Sequence, residues 1–149
     1  MNHQEEYPAD YLADILREVN TIAMVGASPD PTKFSYGVLR VLNERGYNMK
    51  PVNPKEAGNE IRGLKVYGSI ADVDEPIDMV QVFRGPEALP GIAQEAIDAG
   101  AKVLWGQIGV YNEDAAKLAE DAGLQVVMNR CPKIELFRPF WKPRLNQVI

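Results

Sequence analysis

The sequence predicts an α/β domain, doubly wound, with helices on both faces of a mostly parallel five-stranded sheet. Two observations carry that prediction. Short apolar blocks at residues 21–25, 47–52, 79–83, 102–107 and 124–128 alternate with single stretches of helical spacing. Each strand is a short apolar block, which suits a parallel sheet covered on both faces, and the first strand–helix–strand unit has the roughly 30 residues of a right-handed crossover.

Taken in order, Tyr11, Leu12, Ile15, Leu16 and Val19 give residues 7–19 one apolar helical face, so an N-terminal helix is expected over about 8–19. The block 21–25 is a strand stopped by Gly26, and the loop 27–35 holds Pro29 and Pro31, neither suited to a helix interior. Val38, Leu39, Val41 and Leu42 make residues 36–46 a helix that ends at Gly46. The second strand, 47–52, closes in Pro51-Val52-Asn53-Pro54. Residues 61–67 form a small excursion turning at Arg62-Gly63, to which periodicity assigns no role. The third strand, 79–83, ends in Arg84-Gly85-Pro86. A helix over 89–99, a strand over 102–107, a helix over 112–122 capped by Asn112, and a strand over 124–128 follow. A last short helix over 132–137 precedes a tail, about 138–149, broken by Pro139 and Pro143.

At 149 residues and 46% hydrophobic, the chain reads as one domain over 1–149 with enough apolar material for a core. No apolar run reaches the ~20 residues needed to span a membrane, and the acidic start Met1-Asn2-His3-Gln4-Glu5-Glu6 does not resemble a signal peptide. A single cysteine and no export signal point to a reducing cytoplasm. The only histidine, His3, is expected in a loose terminus, which leaves no base for a Ser-His-Asp or Cys-His arrangement and too few ligands for a His/Cys zinc site. A net charge of −5 argues against a nucleic-acid partner.

In an open parallel sheet, ligands sit outside the carboxyl ends of the strands, so the informative residues end strands. Gly26-Ala27-Ser28, with Lys33 and Ser35 before the next helix, combines a sharp turn, hydroxyls, a cation and a helix start: the parts of a pyrophosphate cradle. It lacks the glycine that a dinucleotide fingerprint needs where Ser28 stands, and a plain strand–turn–helix capped by Ser35 is the alternative. At the second strand's end, Val52, Asn53 and Pro54 form a stiff neutral loop without the acid of a nicotinamide site. That suits a ligand carrying a phosphate on its ribose, or is simply a proline-terminated strand. Phe83 is followed by Arg84, which can pair with phosphate or stack on a base, and can equally pair with Glu87 or Glu95. Gln107 and Gly109 offer an amide and open backbone after the fourth strand, where Trp105 is expected in the core. Cys131 follows the last strand beside Arg130, at a helix start. That is the setting of a reactive thiol, opposed by Glu135, or of a small buried hydrophobe.

The pattern resembles the small stand-alone CoA-binding domain proteins of Rossmann-like fold, relatives of the CoA-binding domain of succinyl-CoA synthetase α subunits and of NDP-forming acyl-CoA synthetases. The matching residues are Val25-Gly26-Ala27-Ser28 with Lys33 and Ser35, Gly46-Tyr47, Pro51-Val52-Asn53-Pro54 and Ile61-Arg62-Gly63. They continue through Tyr67-Gly68-Ser69-Ile70, Asp72-Val73, Asp78, Val82-Phe83-Arg84, Gln107-Ile108-Gly109-Val110 and Asn129-Arg130-Cys131. The resemblance implies coenzyme A, or an acyl-CoA, at the carboxyl edge. Gly26, Ala27, Ser28, Lys33 and Ser35 would hold phosphates and adenosine, with Val52, Asn53, Pro54, Phe83 and Arg84 beside the nucleotide. Gln107 and Gly109 would lie along the pantetheine. Read as a reactive thiol, Cys131 would meet the thiol end of CoA and form a mixed disulfide by exchange with oxidised CoA.

Ligase activity does not transfer, because the synthetase relatives carry further domains and a phosphorylatable histidine. The expected role is a non-catalytic binding, sensing or partner module. Two other classes stay open: an NAD(P)-dependent oxidoreductase, weakened by the missing acid and glycine, and a nucleotide-responsive redox regulator acting through a protein partner. Phe137, Phe140 and Trp141 in the tail suggest docking onto the body or onto a second copy of the chain.

Overall fold

A computed structural model gives the fold over residues 1–138. Helix α1 (Ala9–Glu18) leads into β1 (Thr21–Val25), α2 (Phe34–Glu44) and β2 (Asn48–Val52). A two-residue hairpin, β3 (Glu60–Ile61) and β4 (Leu64–Lys65), interrupts the alternation before β5 (Met79–Val82), α3 (Leu89–Asp98) and β6 (Val103–Gly106). Helix α4 (Glu113–Asp121), β7 (Gln125–Val127) and the short α5 (Pro132–Glu135) complete it. The main sheet has the order β2-β1-β5-β6-β7, with every pairing parallel. The chain winds outward from β1 to β2 and then returns to the other side of β1, so the direction reverses between β1 and β5.

Alternate residues of each strand feed opposite faces, as the pleat requires. Ile22 and Met24 pack with Leu12, Leu16, Leu39 and Leu42 from α1 and α2, together with Trp105 and Cys131. Ala23 and Val25 pack with Leu89, Ala93, Ala115 and Ala119 from α3 and α4. Trp105 is fully buried, with its indole N–H donating to the Arg130 carbonyl at 2.9 Å. Among the described residues no helix is long and apolar enough to cross a membrane.

Several sequence expectations shift here. The second helix begins at Phe34 rather than residue 36, and Lys33, not Ser35, holds its N-cap position without a side-chain cap. The excursion is a hairpin whose turn puts both Arg62 (φ 52°) and Gly63 (φ 80°) in the left-handed region, as a two-residue connection demands. Its return segment lies along the free edge of β2, where Tyr67 N–H donates to Pro51 O and Asn53 N–H to Tyr67 O, both at 2.9 Å. Asp74 and Glu75 are exposed but engaged. Tyr67 donates to Asp74, and Glu75 pairs with Lys50, each partner favouring the other's charged form. Phe137 is exposed beneath the Arg45 guanidinium, 4.8 Å from the ring centroid, whereas Phe140 and Trp141 lie outside the described residues.

The largest correction concerns His3, which is buried rather than loose. The Tyr7 hydroxyl accepts the Met128 N–H at 2.7 Å, which leaves its own hydrogen for His3 Nδ1 at 2.6 Å. His3 Nε2–H then donates to Glu120 at 3.0 Å. This chain straps the N-terminal segment across the ends of β7 and α4.

Burial pushes the hydroxyls of Tyr7 and Tyr47 up to about 12. A hydroxyl with a raised folded-state pKa costs nothing below its unfolded value near 10. Above that, the unfolded chain ionises first and stability falls until about pH 12. We expect a loss of roughly 2 kcal/mol per tyrosine across this window. Denaturant titrations at pH 9, 10 and 11 should show it, with Tyr47→Phe flattening its share; equal slopes in the two proteins would refute the assignment.

Candidate ligand site

The reversal between β1 and β5 opens a crevice at their carboxyl ends, and Gly26 forms its base. Its φ is +89°, and a Cβ there would lie 2.4 Å from the Phe83 carbonyl oxygen and 3.2 Å from Arg84 Cδ. Only glycine lets the two strand ends approach this closely. Both ends are also fixed by hydrogen bonds, Gly26 N–H to Val52 O at 3.0 Å and Phe83 N–H to Val25 O at 2.8 Å. The stem of Arg84 therefore lies across the turn after β1. Its guanidinium is exposed and, among the described residues, takes no ion-pair partner, Glu87 and Glu95 included.

The rest of the β1 loop is held by its own side chains. Ser28 Oγ accepts the Asp30 N–H at 3.1 Å and keeps its hydroxyl hydrogen for another partner. Asp30 accepts from Thr32 N–H and Oγ1–H, which holds its carboxyl below the usual range. Lys33 is exposed at the head of α2, next to an exposed Phe34 and a buried Ser35. Ala27 is buried, and its carbonyl accepts from Asn53 Nδ2 at 2.8 Å. Asn53 Oδ1 also caps the turn at Pro54 by accepting the Lys55 N–H at 2.9 Å. Asn53 thus ties the β1 and β2 loops together, with Val52 buried beneath and Pro54 exposed. Of the residues expected at the nucleotide, Gly26, Ala27, Ser28, Val52, Asn53, Pro54, Phe83 and Arg84 follow or end β1, β2 and β5, and Lys33 and Ser35 stand at the head of α2.

Gln107, Gly109 and Cys131 sit further along the same edge, at the ends of β6 and β7. The loops there are interwoven. Arg130 N–H donates to Gly106 O at 3.2 Å, Asn129 N–H to Val110 O at 3.2 Å, and Gly109 N–H to Asn129 Oδ1 at 2.7 Å. Cys131 is a buried thiol, 2% exposed, at the position before α5. Gln107 is buried and accepts from Gln81 Nε2 at 3.0 Å, while the fully buried Gln81 Oε1 has no partner among the described residues. Sequence reading passed over Gln81 as part of an apolar strand. Its signal was a lone amide inside that block, since a buried amide needs partners.

A family model described as "CoA binding domain" matches residues 20–136. "Uncharacterized protein YneT" of Bacillus subtilis (strain 168) is 38% identical over 123 residues, which cover 83% of this chain and 90% of that protein. The "Acetate--CoA ligase [ADP-forming] I subunit alpha" of Pyrococcus furiosus is 34% identical over 88 residues, 56% of this chain and only 19% of the ligase subunit. A solved structure, "hypothetical protein from Pyrococcus horikoshii OT3", superposes with a TM-score of 0.84 at 37% identity, covering 91% of this chain and 94% of that one.

Proposed function

The chain belongs to the CoA-binding domain family, and on that premise we propose that it binds coenzyme A, free or acylated, along the carboxyl edge of its sheet, as a binding, sensing or partner module without chemistry of its own. One observation carries the reading. At the switch point between β1 and β5, the closely approached turn at Gly26 sits beneath an exposed Arg84 that has no carboxylate partner among the described residues. A guanidinium left unpaired at such a crevice suits a phosphate, which it can grip through two parallel N–H bonds. Lys33 at the head of α2 adds a second cation on the nucleotide side.

In this reading the nucleotide rests by Ala27, Ser28, Ser35, Val52, Asn53 and Pro54. Phe83 stands with Arg84 beside the nucleotide, the pantetheine crosses Gln107 and Gly109, and the thiol ends near Cys131. A neutral β2 end, with Asn53 facing the β1 loop, accommodates a phosphorylated ribose that an acid would repel. The histidine is committed to Tyr7 and Glu120, which fits binding rather than acid–base chemistry. We place the protein in a reducing cytoplasm, acting alone, as a homo-oligomer or with a protein partner.

Thermal shift with CoA, dephospho-CoA, acetyl-CoA, NAD, NADP and ATP tests the proposal. A ligand at 100 times its dissociation constant adds about 2.7 kcal/mol, a shift of roughly 5–10 °C for a domain of this size. We expect CoA to stabilise well above NAD, with a smaller effect when the 3′-phosphate is missing. Stabilisation by NAD or NADP alone would overturn the proposal and restore the oxidoreductase.

A further inference from the structure

The ligand edge does not end at Cys131. Past it lies a cavity of about 660 Å³, bounded by the start of α1, the loops after β6 and β7, and α5. Helix α1 runs into the amino end of β1, so its first turn stands at the carboxyl edge with the other walls. Tyr7 and Leu12 form one wall and Cys131 another. Ile108 and Ile134 flank the opening, 56% and 44% exposed, and are among the few large apolar side chains left open to water.

We infer that this cavity receives the acyl group of an acyl-CoA, and that the acyl group it fits is neutral and aliphatic. The inference rests on the proposed CoA site and deepens it. The strand order places nucleotide, arm and thiol in line. From the end of β2 to the end of β7 there are four strand spacings, on the order of 19 Å at about 4.8 Å each. A linear ligand whose adenosine starts at Asn53, whose phosphates meet Arg84 and whose arm crosses Gln107 brings its sulfur to Cys131, and anything bonded to that sulfur continues into the cavity. The Gly109–Asn129 hydrogen bond joins the loops after β6 and β7, both of which line the cavity, so that wall is fixed.

Charge decides the acyl class. The cavity holds Arg130 and Arg138 against Glu6 and Glu135, a formal sum of zero. Glu135 is buried at 2% exposure and already takes the Arg138 Nε–H at 2.5 Å. Arg130 spends Nη1 on the Asn129 carbonyl at 2.9 Å and lies over the Tyr7 ring at 5.1 Å. Arg130 takes no carboxylate among the described residues, but it is held by a backbone carbonyl and the Tyr7 ring. The lining as a whole has no surplus positive charge to draw in a carboxylate-tipped acyl group. A hydrocarbon chain gains by covering the exposed Ile108 and Ile134.

Dissociation constants of the full chain for CoA and for acetyl-, butyryl-, hexanoyl- and succinyl-CoA, measured by calorimetry, test this. Affinity should rise from acetyl to hexanoyl by up to about fourfold per methylene buried, with succinyl-CoA weaker than butyryl-CoA. Two variants narrow the cavity from opposite walls, Ile134→Trp and Ala9→Trp, and each should abolish the chain-length gain while leaving the affinity for free CoA within about twofold of the parent. Binding of CoA with a flat or falling response to chain length, or a gain that survives both variants, overturns the acyl pocket and leaves the CoA site standing. Tighter binding of succinyl-CoA overturns the neutral class. If neither CoA nor any ester binds, the underlying CoA reading fails, and the pocket with it.

Discussion

Gly26→Ala is expected to destabilise the protein by roughly 2–5 kcal/mol, the sum of about 1–2 for a side chain at positive φ and about 1–3 for forcing apart a packed contact. The new methyl carbon would stand 2.4 Å from the Phe83 carbonyl oxygen and 3.0 Å from its carbon, and backbone cannot rotate out of the way. Nor can the strands part cheaply, because the bonds from Gly26 N–H to Val52 and from Phe83 N–H to Val25 clamp both sides of the contact. Two other glycines separate the causes. Gly46 shares the positive φ, +96°, but has open space around its missing Cβ, so Gly46→Ala should cost only the conformational part, about 1–2 kcal/mol. Gly37 has neither feature and lies within α2. Gly37→Ala should therefore stabilise by about 0.5–1 kcal/mol. Denaturant unfolding of the three variants gives the ranking. Should Gly26→Ala unfold no more easily than Gly46→Ala, the close approach at the switch point is not what this residue secures.

What could be read ahead of the structure, and what could not, follows the range of the interactions. The strands β1, β5, β6 and β7 were legible as short, mainly apolar blocks, a local signal, whereas β2, half-buried at Asn48 and Lys50, was legible from the Pro51-Val52-Asn53-Pro54 stop that closes it. The start of α2 was set two residues late because its first residue, Phe34, is 77% exposed and adds nothing to an apolar face. The hairpin's strands are two residues each, too short for any period, so only its turn at Arg62-Gly63 could be seen. The place of Gly26, Ser28 and Arg84 just past strand ends was legible from the strand stops. The engagement of Asn53 with Ala27 was not, since 26 residues separate the two. His3 shows the limit most clearly. Its partner Glu120 is 117 positions away, and nothing local to an acidic N-terminus marks a buried histidine. The cavity beyond Cys131 is likewise built from segments at both ends of the chain, which only the fold brings together.

The second large effect falls on binding and should leave stability almost untouched. Arg84→Ala is expected to weaken CoA binding by about 10- to 100-fold, the value of a charge-assisted bond at about 1.5–3 kcal/mol, while shifting unfolding by no more than about 0.5 kcal/mol. The separation follows from where the side chain stands. It is exposed, and among the described residues no carboxylate pairs with it, so the unliganded fold loses no ion pair when it goes. Arg84→Lys should recover only part of the loss, because an ammonium cannot make two parallel bonds to one phosphate. Lys33→Ala should cost less than Arg84→Ala, as a hydrated point charge held by a flexible stem loses more of its interaction to solvent. Comparing each variant on CoA and dephospho-CoA assigns the cations. Whichever residue faces the 3′-phosphate loses its effect when that phosphate is absent, and a residue on the pyrophosphate keeps it. Undiminished CoA binding by Arg84→Ala, with the fold intact, would remove the guanidinium from the site. The nucleotide would then depend on Lys33 and the backbone of the β1 loop alone.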